Sequence, residues 1–165
     1  MVQTEILAGQ YDNVVANPPY MGNKGMNPLL KEFAAKNFSD SKSDLFAVFI
    51  ERGLNATVSK TGLMGMITMH SWMFLSSFAQ LREKLLSQNT ICNMTHLGSR
   101  AFAEISGEVV QTTAFIMYRK HIPNFPATFL RLVDLNEEEK VSSIKEKKQL
   151  HIAKPDDFKK IPGAP

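Results

Sequence analysis

The sequence predicts an α/β fold, half of an open sheet that is mostly parallel with one antiparallel strand. Three observations carry that expectation. Between residues 12 and 97, short apolar runs alternate with stretches of helical periodicity, the pattern of parallel strands joined by helical crossovers. Leu63-Met-Gly-Met-Ile-Thr-Met69 is a continuous apolar run bounded by turn residues, as a strand buried on both faces reads. The strand-like runs Thr90–Leu97 and Val109–Tyr118 then follow one another with only a loop between them, which implies a hairpin-like antiparallel pair.

Taken in order, residues 1–11 are too short to hold an element of consequence. Asp12–Ala16 is a brief β-branched strand that stops at Asn17. Pro18 and Pro19 have no N–H and a fixed φ, so neither extends a sheet ladder. Each also holds the residue before it extended. Met21-Gly-Asn-Lys-Gly-Met26 is a loop with two glycines three apart, read either as a mobile surface loop or as one that brings Lys24 to a phosphate backbone. Pro28 suits the first turn of a short helix running through Lys36. Ser43–Val58 is a helix with Ser43 or Ser41 as N-cap and Asp44 in its first turn. Its residues Leu45, Phe46, Phe49, Ile50 and Leu54 form a core-facing stripe.

After the strand at 63–69, His70-Ser-Trp72 falls on the side of Asn17 if the two strands are parallel. A lone histidine there is ordinarily structural, and Trp72 fits either core or pocket wall. Phe74–Leu86 is a second amphipathic helix with Phe74, Phe78, Leu81 and Leu85 inward and Arg82, Glu83 and Lys84 mostly solvated. Beyond Arg119 the chain changes character: Thr128–Val133 is expected as an edge strand, and a charged segment opens at Glu137. Lys145–Lys148 continues it as an exposed helix. Two parts follow, residues 1–133 as one domain and 134–165 as a charged extension or linker.

Composition narrows the function without choosing it. An apolar fraction of 44% with 21% charged residues is ordinary for a soluble globular domain, and 165 residues suffice for one core. A net charge of +3 is compatible with nucleic acid but does not argue for it. The single cysteine, Cys92, lies in an apolar strand-like run and excludes an internal disulfide or a cysteine-based metal site; no metal is expected. No apolar stretch approaches the roughly 18 residues of a membrane span, and the N-terminus lacks signal-peptide features. The expected location is the cytoplasm.

The chemistry concentrates in Asn17-Pro18-Pro19-Tyr20, held at the carboxyl end of a strand, where ligands of open α/β sheets sit. Asn17 offers a side-chain carbonyl and amide, Pro18 a backbone carbonyl with no local partner, and Tyr20 a flat aromatic face. Two acceptors can grip the two hydrogens of an exocyclic –NH2 and turn its lone pair toward an electrophile. The ring can stack on the heterocycle carrying the amine, worth roughly 1–3 kcal/mol per base.

This stretch, Asp12-Asn-Val-Val-Ala-Asn-Pro-Pro-Tyr20, resembles the catalytic motif of S-adenosylmethionine-dependent amino-methyltransferases, chiefly DNA adenine-N6 methylases. The resemblance runs from about Tyr11 to Lys120. Asp44-Leu-Phe-Ala-Val-Phe-Ile-Glu-Arg-Gly53, Gly62-Leu-Met-Gly-Met-Ile-Thr-Met-His-Ser-Trp72 and Leu81-Arg82 look like the order found in large bacterial adenine methylases. These include fused restriction–modification enzymes and the phage-exclusion, PglX-like methylases.

The resemblance implies a partial Rossmann-like methyltransferase fold with S-adenosylmethionine as cofactor and DNA as partner. Asn17 and the Pro18 carbonyl would hold the target amine, with Pro19 fixing the turn, and Tyr20 would stack on an extruded adenine. Leu97-Gly-Ser-Arg-Ala-Phe102 matches a loop that supplies a second aromatic, Phe102, to the flipped base. Extrusion costs a few kcal/mol, and an aromatic clamp offsets part of it. The family's Gly-rich cofactor turn precedes this motif, yet only ten residues precede Tyr11 and no Gly-x-Gly occurs in the chain. Asn17 and Pro18 therefore form a partial cofactor site. The chain is expected to be inactive alone and to work with the remainder of a methyltransferase or a partner subunit. Its first strand is expected as an exposed apolar edge that pairs with a second copy.

Two other readings stay open on the residues. One is methylation of a glutamine side-chain amide, as in release-factor methylases that share Asn-Pro-Pro-Tyr. The other is a non-catalytic DNA-contact or interaction module.

Overall fold

Turn residues and apolar periodicity place the elements, and tertiary hydrogen bonds set their ends. The computed structural model describes residues 3–57, 61–99, 110–158, 160 and 161. In chain order they form α1 (Gln3–Ala8), β1 (Asn13–Ala16), α2 (Pro28–Asn37), α3 (Leu45–Ala56), β2 (Leu63–Met69), α4 (Ala79–Gln88), β3 (Thr90–Gly98), β4 (Thr112–Tyr118), β5 (Ala127–Arg131), α5 (Glu137–Glu146), β6 (Leu150–Ala153) and α6 (Pro155–Phe158), with short 3-10 turns at Asn23–Gly25, His70–Met73 and Ser76–Phe78.

The strands form one sheet in the order β1-β2-β4-β3-β5-β6. β1 pairs β2 and β3 pairs β5 in parallel, whereas β4 runs against both its neighbours and β6 runs against β5. The expected α/β architecture is present, with β4 as the antiparallel strand foreseen from the loop connection. A second reversed strand, β6, comes from the charged stretch after residue 133. It gives β5 a partner on each side, so the run expected as an edge is interior to the sheet.

Along β2 the side chains alternate strictly. Met64, Met66 and Thr68 are buried, while Leu63, Gly65, Ile67 and Met69 are half-buried. Register carries the division across the sheet: Met64 lies opposite Met117 and Met66 opposite Phe115. The helices α3 and α4 contact β2 and β3, and the core of Phe46, Ile50, Leu54, Leu81, Leu85, Met94 and Phe115 gathers on that face. Across the middle of the opposite face an open groove is lined by strand residues and Asn17, including Val15, Gly65, Ile67, Asn93 and Ile116. The run at 63–69 is thus apolar on both faces but fully buried on one.

Two helix ends differ from expectation. Asp44, not Ser41 or Ser43, is the N-cap of α3, extended at φ −150° and ψ 147°. Ser41 is buried and donates to Glu51 Oε2 at 2.5 Å, and Glu51 also receives Lys84 Nζ at 2.5 Å. The helix expected from Phe74 begins at Ala79, because the chain before it makes two 3-10 turns, His70–Met73 and Ser76–Phe78. Those turns leave carbonyls facing inward. Arg82, expected to be solvated, is buried and donates from Nη1 to the carbonyls of Trp72 at 2.9 Å and Leu75 at 2.7 Å. Trp72 is core, 3% exposed, and donates to Thr68 Oγ1 at 3.1 Å. Cys92, in β3, is half-buried. Among the described residues no helix is long and apolar enough to cross a membrane.

Candidate methyl-transfer site

β1 is held in place by β2 on one side and by α3 above. Tyr11 N donates to Ala56 O at 2.8 Å and Leu63 N to Asp12 O at 2.9 Å, which sets the register in which Ala16 lies opposite Met66. The parallel pairing places the carboxyl ends of β1 and β2 on one side of the sheet. Beyond Ala16 the ladder ends at the two prolines. Asn17 and Pro19 are exposed, Pro18 is buried, and Tyr20 is half-buried. The strand end therefore presents the amide of Asn17 to solvent while Pro18 anchors the turn.

Tyr20 is fixed from two directions. Its ring meets Phe46 edge-on, with centroids 6.2 Å apart and planes at 87°, a favoured aromatic geometry. Its hydroxyl donates to Asn17 Oδ1 at 3.5 Å, at the long limit of a hydrogen bond. Such a weak contact orients the Asn17 amide and is readily exchanged for a better donor. Burial of the Tyr20 phenol raises its pKa above the usual value, so the hydroxyl stays protonated at neutral pH.

The loop that follows is tied down. Met21 N donates to Asp44 Oδ1 at 3.0 Å, Leu45 N to Met21 O at 2.9 Å and Asn23 N to Ser43 O at 3.0 Å. These bonds fix the loop at its start. Lys24 stands exposed on its 3-10 turn. Phe102 lies outside the described residues. The strands around it are placed, however: β3 runs with β1, and Gly98 pairs with Thr112. β3 thus ends and β4 begins at the sheet edge that carries Asn17.

One pair at that edge escaped sequence reasoning. His70 Nδ1 and His96 Nε2 lie 2.8 Å apart, joining the ends of β2 and β3 across β4. Burial lowers both pKa values, and His70 and Arg131 add to the effect at His96, which falls to about 4. Two neutral imidazoles share one hydrogen bond, one ring donating and the other accepting. His96 also lines an apolar cavity of about 350 Å³ floored by Met94 and Phe129 and walled by Trp72, Leu86 and Phe158. Asn17 and Tyr20 do not border that cavity, so it is separate from the strand-end chemistry. Of the strand-end residues Asn17 borders the groove of about 470 Å³ on the open face of the sheet, whereas Tyr20 leans toward the covered face.

The fold is that of methyltransferases. Over 95% of this chain and 37% of the other, it superimposes on the type I restriction-modification system methyltransferase subunit from Streptococcus thermophilus, with a TM-score of 0.69 at 19% identity. The Type ISP restriction-modification enzyme LlaGI, solved in complex with a DNA substrate mimic, matches with a TM-score of 0.63 at 17% identity over 92% of this chain and 18% of that one.

The chain belongs to the Eco57I restriction-modification methylase family, whose sequence model matches residues 2–102. It is 51% identical to the adenine-specific methyltransferase BrxX of Escherichia coli O9:H4 (strain HS) over 99% of its length, and 46% identical to the adenine-specific methyltransferase PglX of Lacticaseibacillus casei (strain Zhang) over 96%. In each case it spans 14% of the relative's length.

Proposed function

We propose that this chain is the base-side part of a DNA adenine-N6 methyltransferase acting in cytoplasmic restriction–modification or phage defence, inactive by itself. The observation that carries the reading is the strand end itself: an exposed Asn17 amide beside a half-buried Tyr20 whose ring is backed by Phe46. The adenine preference rests on kinship with relatives described as adenine-specific.

In this mechanism Asn17 Oδ1 and the Pro18 carbonyl accept the two N–H groups of the adenine N6 amine. The amine takes the place of the 3.5 Å contact from the Tyr20 hydroxyl. Holding both hydrogens aims the nitrogen lone pair, and alignment of that kind supplies most of what such a reaction needs. Pro19 keeps the turn stiff, and Tyr20 stacks on the extruded base with Phe102 as second aromatic. Lys24 contacts phosphate. S-adenosylmethionine, when bound, supplies an electrophilic methyl group. Asn17 and Pro18 fit its methyl-bearing end, being the polar groups of the strand end, whereas the sequence holds no Gly-x-Gly turn for the remainder of the cofactor. Residues 1–133 carry this role and 134–165 are the extension, with β6 completing the sheet.

Methyl incorporation by the full-length protein into unmethylated genomic DNA, against a release-factor substrate, tests the reading. Transfer to adenine is expected, and Asn17→Ala should lower it by about a hundredfold or more with DNA binding retained. Transfer to glutamine instead, or full activity in Asn17→Ala, sinks it. We also propose that the isolated chain self-associates through β1, whose Val15 is 84% exposed at the sheet edge.

A further inference from the structure

We infer that Asp44 is a positioning residue that holds Tyr20 against the substrate base, because a single carboxylate oxygen serves both the cap of α3 and the segment that follows Tyr20. An ordinary N-cap accepts from its own helix. Asp44 Oδ1 does so, receiving Phe46 N at 3.3 Å, but it also receives Met21 N at 3.0 Å from 23 residues upstream. The other carboxylate oxygen faces Gly22, where a side chain's first carbon would stand 3.6 Å from it.

Both neighbours of this atom bear on Tyr20. Met21 is the next residue in the chain, so the bond to its amide fixes the peptide that carries the tyrosine. Phe46 is the ring that meets Tyr20 edge-on. The backbone bridge between Gly22 and Asp44 runs through the same place. Moving the Asp44 carboxylate therefore releases the tyrosine's peptide and the Phe46 amide together, while the Phe46 ring stays in the core. No other side chain among the described residues has a hydrogen bond to the Met21 amide.

The inference rests on the proposed role of Tyr20, and a graded series in the full-length protein separates the two. Asp44→Asn keeps an acceptor for both amides. Asp44→Ser keeps a helix cap, but its shorter side chain stops short of Met21. Asp44→Ala keeps neither. A plain cap predicts that activity follows stability, with Ser close to wild type. A positioning role predicts that Asn is close to wild type while Ser and Ala lose about tenfold in kcat/KM for unmethylated genomic DNA, with KM for the cofactor unchanged within about twofold. Amide hydrogen exchange gives a readout independent of catalysis. Met21 exchanges fast in the Ser and Ala variants, while Phe46 stays protected in the Ser variant.

A Ser variant with wild-type kcat/KM and a protected Met21 amide overturns the inference. So does an activity loss that falls equally on DNA and cofactor. If the wild-type protein transfers no methyl to adenine, the functional reading fails, and protection at Met21 in the Ser variant alone decides whether Asp44 holds this segment.

Discussion

The two faces of the sheet are made from similar residues and end in different states. On the helix side Met64, Met66, Phe115 and Met117 are at most 4% exposed and touch a core anchored by Phe46. On the other side Ile67, Ala114 and Ile116 are of similar character, yet Ile116 is 36% exposed. Apolarity alone does not bury a strand; a covering layer does. The lesson extends to the site. Tyr20 is ordered because it leans into the covered side through Phe46, whereas Asn17 borders the groove on the open side and remains available.

Removing the keystone of the covered side should have the largest effect. Phe46→Ala should cost about 3–5 kcal/mol of folding stability, read by denaturant unfolding of the full-length protein, and should free the Tyr20 ring as well. A loss below about 1 kcal/mol would show the two faces to be equivalent.

The next effect is pH-dependent. His96 takes up its proton near pH 6.5 when unfolded but only near pH 4 when folded. The unfolded chain therefore binds more protons between those values, and stability present above pH 6.5 is lost as pH falls toward 4. His96→Asn should flatten that part of the profile in pH-series thermal melts. An unchanged slope would mean that the covered face does not control this ring.

On the open face, Ile116→Thr should change stability by no more than about 1 kcal/mol, measured by the same unfolding curves. Smallest of all for stability, Val15→Lys at the edge of β1 should leave unfolding within about 0.5 kcal/mol while reducing self-association of the isolated chain in concentration-series light scattering. Monomeric behaviour of the unsubstituted chain at every concentration would remove the edge-pairing idea.

Much of this framework was legible from residue patterns. Leu63–Met69 and the helix beginning at Pro28 stand where turn residues and apolar periodicity put them. Asn17 to Tyr20 falls at a strand end because two prolines admit nothing else. What stayed hidden depended on contacts between distant segments. Ser41, Ser43 and Asp44 are all capable caps, and Met21, far upstream, selects Asp44. Arg82 sits in an amphipathic stretch like any surface arginine; two inward carbonyls of the preceding turns bury it. His70 was visible as a residue beyond a strand, but its partner His96 lies in a different strand 26 positions later. The Asn136–Glu139 capping box does have a local signature, an Asn three residues before a Glu, which would have marked the start of α5.

The position of β4 also orders events in time. Thr68 of β2 must wait for Thr113 before its ladder is filled, and β3 is made before the strand that joins it to β2. During synthesis β2 therefore leaves the ribosome with one edge open and β3 with both, and the two are joined only when Tyr118 has emerged. Pairing at such separation is slow relative to local structure, and unpaired edges in that interval invite association with other nascent chains. A nascent chain stalled before Thr112 should accordingly be protease-sensitive and bound by chaperones. One extended past Tyr118 should resist digestion across β2 and β3 together.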